Sequence, residues 1–349
     1  MTGTNVGTKV GRPEKVGMLE NRRQDQPRSE EKLRSFPLTF FKTACGIAII
    51  VFIFSYIPIS QVVAVFKNLT LAWVAYLLFL SVVLIYVSVL KWKVLLKTQG
   101  VEERTSHLYG LYLAGYFFNL LFPSFIGGDA ARSWHLGRAQ GQRRAAVATF
   151  LERYSGLFTM LMLGMVFSFI TDKVQTPERV TILLLFLGFV GCTALLYSKS
   201  LVSGVALLPR IGVVVGKQGA LFQEALRVST SCPRKISIVV ALSFVFHALA
   251  VVNVLACAHA VGWTHAPVGE LFIVVPIILI ISALPVTPQA LGVQEGAFVY
   301  YLTLLGALPA EAMGVALLIR AKAYVLAALG GLYLLCARPR KIGSSSDLK

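Results

Sequence analysis

From residue 36 to residue 336 the chain returns repeatedly to apolar runs of about twenty residues, and most of its lysines and arginines fall between those runs. A run of that length, wound into a helix at about 1.5 Å per residue, matches the roughly 30 Å hydrocarbon layer of a bilayer. Backbone in that layer must satisfy its own hydrogen bonds, so apolar runs of this length span as helices. The fold class is therefore an all-α polytopic membrane protein. Charged residues make up only 14% of the chain, against roughly a quarter in soluble domains, which excludes a soluble fold. The net charge of +17 follows from basic residues in the connections. That is the pattern of cytoplasmic loops, a topology signal and not a nucleic-acid footprint.

Residues 1–35 are polar, lack an aromatic residue before Phe36 and end in mixed charge (RRQDQPRSEEKLR), which predicts a disordered cytoplasmic tail. Membrane domain 36–337 follows, in halves of about 36–178 and 179–337, and residues 338–349 form a second cytoplasmic tail. Loop charges place the spans at 36–57, 69–90, 145–170, 181–197, 236–261 and 313–336. Residues 198–235, basic and apolar at helical spacing, read as an interfacial amphipathic connector. Two further apolar segments, 107–125 and 271–285, enter and leave on one face by the same charge rule, so both predict re-entrant hairpins. Each half then has two spans, a hairpin and a third span, in opposite topology. This is an inverted repeat of about six spans plus two broken hairpins, with N- and C-termini cytoplasmic.

The hairpin tips share a pattern of helix breakers. Pro123, Gly127 and Gly128 precede Asp129 and Arg132; Pro285, Pro288 and Gly292 precede Glu295. Pro and Gly break a helix where its freed backbone groups need partners, and such breaks at membrane depth line cavities. A charge in mid-bilayer costs at least roughly 2.5 kcal/mol on insertion scales, so the acids and bases in these segments call for partners. Asp129 and Arg132 share a helical face. Glu152 and Arg153 point about 100 degrees apart, and cross-pairing of Asp129 with Arg153 and of Arg132 with Glu152 would satisfy all four. Arg320 in the last span has Glu295 as its acidic mate and is expected to face a cavity. His247 and Asn253 read as satisfied interhelical polar contacts. The five cysteines, His107, His135, His259 and His265 lack ligand spacing, so no metal is expected; no nucleophile, nucleotide loop or cofactor motif is present, and no catalytic residue or cofactor is expected.

The run from Asn119 through PSFIGGDAAR to LERYSG, and then LPVTPQALGVQEG, resembles the transmembrane region of the lysylphosphatidylglycerol synthase/flippase family over about residues 40 to 336. The family's marked positions fall on Asn119, Pro123, Gly127, Gly128, Asp129, Arg132, Glu152, Arg153, Pro285, Gly292 and Glu295. The chain departs from the family pattern at Gln289 and Ala290, where a glycine is common. The aminoacyltransferase domain of bifunctional members is not seen after residue 336, so the resemblance does not carry synthase activity. It implies translocation of a lipid across the cytoplasmic membrane: an aminoacyl-phospholipid, a polyprenyl-phosphate-linked sugar, a hopanoid or a glycolipid. The expected partners are membrane lipids, with an envelope-lipid biosynthetic enzyme as a further one. The competing readings are an accessory subunit of an envelope-lipid synthase and a membrane-embedded transferase using Asp129 or Glu152 as base.

Overall fold

The computed structural model describes residues 43–67, 69–121, 126–171, 176–197, 223, 227 and 231–336. The two tails, Pro123 and most of the predicted 198–235 connector lie outside them. In chain order the helices are α1 (Thr43–Tyr56), α2 (Ile59–Phe66), α3 (Leu71–Thr98), α4 (Thr105–Leu121), α5 (Ile126–Gln140), α6 (Gln142–Ile170), α7 (Thr176–Tyr197), α8 (Pro233–Ala260), α9 (Val268–Ala283), a 3-10 turn at Pro288–Ala290, α10 (Val293–Leu304) and α11 (Pro309–Cys336). Five of them (α3, α6, α8, α11 and the Thr176–Ala194 part of α7) are long and apolar enough to cross a membrane, and the bent pair α1–α2 makes a sixth if taken as one span. Large apolar side chains such as Phe52, Phe79, Phe169 and Leu335 are exposed around the outside, where lipid would cover them.

Helix lengths repeat across the two halves: 28 residues in α3 and α8, 17 and 16 in α4 and α9, 15 and 12 in α5 and α10, 29 and 28 in α6 and α11. The packing repeats with them. Helix α4 lies on α11 as α9 lies on α6, each hairpin closes on itself, and α5 packs on α6 as α10 packs on α11. The directions are opposed. Lys235 at the start of α8 donates to the Lys97 carbonyl at the end of α3, while Leu77 near the start of α3 shares a core with Val254 and Cys257 near the end of α8. Gly110 of α4 meets Tyr333 of α11 and Gly330 meets Leu113, so those helices are antiparallel; Gly269 of α9 meets Thr171 of α6 and Gly164 meets Phe272, so these are too. The halves are thus related by inversion, as the loop charges predicted.

The hairpin helices are short. At about 1.5 Å per residue α4 rises about 25 Å and α10 about 18 Å, less than the roughly 30 Å of hydrocarbon that α6 and α11 exceed. Their turns therefore fall within the helical layer. Small residues let the arms close: a Cβ on Gly128 would overlap the Gly115 carbonyl, and one on Gly330 the Leu113 carbonyl.

Several boundaries differ from the sequence reading. The first span does not run unbroken to its end, because Pro58 removes an amide donor and α2 leaves α1 at 86°. The second span does not stop at 90: the KWKVLLK stretch, read as a basic loop, continues α3 to Thr98 and carries Lys91 into the interior. Likewise RSWHLGR is not a loop but the returning arm α5. In both cases basic residues sit on helix turns that pack against neighbours, which a loop-charge rule cannot distinguish from a connection.

Candidate functional site

The first hairpin turns so that α5 begins beside the end of α4, with the Gly128 N–H donating to Asn119 Oδ1 at 2.7 Å. That bond occupies one of the free amides at the α5 N-terminus. Gly127 lies in the first turn, and Asp129 in the same turn places its charge where the helix dipole favours it. Opposite stands α6, where Glu152 and Arg153 lie well inside the helix.

The four charged residues pair crosswise. Arg153 Nε and Nη2 donate to Asp129 Oδ2 and Oδ1 at 2.5 and 2.6 Å, a two-pronged fit of guanidinium to carboxylate. Arg132 Nη2 donates to Glu152 Oε2 at 2.8 Å and to Asp129 Oδ1 at 2.9 Å. Tyr112 of α4 donates its hydroxyl to Glu152 Oε1, so both oxygens of that buried carboxylate are used. Below, the Arg132 guanidinium lies over the rings of Trp92 and Tyr112, 4.5 and 4.1 Å from their centroids, a cation–π arrangement suited to a site with little water. Exposure grades across the group: the Arg132 and Glu152 side chains are 1% and 4% exposed, Arg153 63%.

Lys91 completes the cluster and was missed by the sequence reading. It is 3% exposed, lies within electrostatic reach of Glu152, Arg153 and Arg132, and has its ammonium 5.2 Å from the Phe246 ring centroid. With it the group holds three cations (Lys91, Arg132, Arg153) and two anions (Asp129, Glu152). The signal was its spacing: Lys91 continues the apolar run of α3 without a Pro, Gly or Asn to stop the helix before it.

The second hairpin repeats the scheme in closed form. Thr287 Oγ1 donates to the Leu291 carbonyl across the turn at 2.8 Å. Pro285 follows the end of α9, Pro288 opens the 3-10 turn, and Gly292, at φ +79°, precedes α10. Its N–H donates to Glu295 Oε2 at 2.8 Å, and Arg320 Nε donates to Glu295 Oε1. Arg320 Nη2 reaches Gln294 Oε1 at 3.3 Å and the Ala290 carbonyl at 3.4 Å. Arg320 is the eleventh residue after the first of α11, as Arg153 is after the first of α6, so the two acid–arginine pairs are counterparts across the inversion. Glu295 and Arg320 are 2% and 9% exposed; Arg320 faces its partners and not the cavity expected of it. Gln289 and Ala290 both adopt positive φ, 50° and 51°, a left-handed conformation that glycine takes without strain. Helix α1 seals this turn, for a Cβ on Gly292 would press on the Gly46 carbonyl and Ile49.

Asn253 accepts from Lys322 at 2.5 Å. His247 does not meet the expectation of a satisfied contact: its buried Nε2 has no hydrogen-bond partner.

Two inverted helical halves, each with a broken hairpin that sets an acid against an arginine of the following long helix, define a polytopic membrane protein with a polar site inside the helical layer. The chain belongs to the family of the lysylphosphatidylglycerol synthase TM region, whose family model matches residues 40–331. Comparison with curated proteins and with solved structures gives no match.

Proposed function

We propose that this protein translocates a lipid with a polar or charged headgroup across the cytoplasmic membrane, its termini on the cytoplasmic side. The headgroup passes the cluster of Asp129, Arg132, Glu152 and Arg153 while the acyl or prenyl tails remain in the bilayer. One observation carries this reading: the cluster at the first hairpin holds one cation more than its acids neutralise, and Arg153 at its edge is open. A purely structural network would be balanced and closed, as the Glu295–Arg320 pair is. Arginine presents a planar fork of donors to phosphate or carboxylate, which suits a headgroup anion. Opposed half-helices meeting inside the bilayer are also the arrangement in which transporters hold substrate. The family supports lipid as the substrate class.

The test is to extract the protein in native nanodiscs and compare its lipids with the bulk membrane. One charged-headgroup lipid should be enriched with the wild type and return to its bulk share with Arg153→Ala. A bulk-like lipid profile for both proteins overturns the reading.

A further inference from the structure

Behind the ion-paired cluster, α3, α6 and α8 enclose a small polar void that the pairing does not use. A Cβ built on Gly156 would have two heavy atoms within 4 Å from outside its own helix, Lys91 Nζ and His247 Nε2, each at 3.7 Å. Both residues are more than nine-tenths buried. Lys91 makes no hydrogen bond or ion pair among the described residues, and His247 Nε2 has no partner. A buried ammonium with nothing to donate to is among the most costly arrangements a membrane protein can hold. From His247 an apolar cleft runs between α6, α8 and α9, walled by Met160, Leu163, Phe272, Pro276 and Leu279. The void therefore offers two nitrogen donors at one end and a hydrocarbon-lined path at the other.

We infer that the open position over Gly156, between Lys91 Nζ and His247 Nε2, seats a phosphate oxygen of an anionic lipid headgroup. This rests on the lipid-translocation reading and deepens it, naming phosphate as the group recognised. The donors fit in number and charge: an ammonium and an imidazole N–H converge on one anionic oxygen, and the cation surplus of the cluster is balanced when it arrives. Gly156 is required because any side chain there would occupy the seat. Exposed Arg153 receives the headgroup first, and Lys91 holds it in the occluded position.

The assay uses the full chain in detergent with three soluble probes: dihexanoyl phosphatidylglycerol, dihexanoylglycerol without phosphate, and inorganic phosphate. Dihexanoyl phosphatidylglycerol should bind more tightly than either other probe, and Lys91→Met and Gly156→Ala should each weaken it by about tenfold or more, the loss expected for one charge-assisted bond. Thermal midpoints separate this from a structural role. Lys91→Met removes an unpartnered buried charge, and Gly156→Ala fills a void at ordinary contact distance with a better helix former, so both variants should melt higher than wild type while binding worse. Unchanged lipid affinity in both variants, as a lone bridging water over Gly156 would give, overturns the proposal. So does a lower melting point in Lys91→Met, or inorganic phosphate binding as tightly as the lipid. Vesicle translocation is scored separately. Lys91-dependent binding by a wild type that moves no lipid would sink the transport reading and leave the phosphate site, whereas translocation intact in Lys91→Met would do the reverse.

Discussion

Replacing Glu295 by Gln tests whether the second hairpin is held by a closed ion pair. Both Glu295 oxygens are committed, one to Arg320 and one to the Gly292 N–H. The amide keeps one acceptor and loses the charge. Arg320, 9% exposed, would be left with bonds of 3.3 and 3.4 Å to Gln294 and the Ala290 carbonyl. Breaking a buried pair from one side costs about 3–5 kcal/mol because the surviving charge is stranded. Removing both charges, in Glu295→Gln with Arg320→Met, should restore all but about 1–2 kcal/mol, since an apolar replacement of a buried pair is often close to neutral. Equilibrium unfolding in mixed micelles, followed by tryptophan fluorescence, gives the four corners of the cycle, and a coupling of roughly 3 kcal/mol between the sites is expected. A single variant that loses less than about 1 kcal/mol, or a double variant no more stable than the single, refutes the reasoning.

Gln289→Gly should stabilise the fold by up to about 1 kcal/mol in the same unfolding assay, because it relieves a left-handed residue at some entropic cost in the unfolded chain. Gly330→Ala should lower stability by about 2 kcal/mol or more, as its Cβ would overlap the Leu113 carbonyl and force α4 and α11 apart. Gly188→Ala on the open face of α7, with nothing within 4 Å, should instead gain about 0.5–1 kcal/mol. Arg153→Lys keeps the charge but not the two-pronged contact with Asp129, so in a vesicle assay lipid translocation should fall about tenfold while thermal stability changes little.

Much of this site was legible from the chain. The cross-pairing of Asp129 with Arg153 and Arg132 with Glu152 followed from angular spacing on helices and the cost of an unpaired charge in lipid, and the structure forms both pairs. The inverted halves followed from loop charges, and the helix lengths and directions agree. Lys91 was hidden because a lysine after twenty apolar residues looks like the end of a span, and only packing of α3 against α6 and α8 reveals that the helix continues. His247 was misread because sequence shows that a polar side chain needs a partner but not whether one arrives. The departure at Gln289 and Ala290 was visible, whereas the positive φ both residues take belongs to the turn's closure against α1.

Lipid translocation through the first-hairpin cluster is tested most directly in proteoliposomes carrying fluorophore-labelled phosphatidylglycerol, with outer-leaflet label quenched by dithionite over time. The wild type should expose inner-leaflet label well above protein-free vesicles, and Asp129→Asn and Arg153→Ala should fall to the protein-free rate while remaining folded. Equal rates for the wild type and both variants would contradict the account.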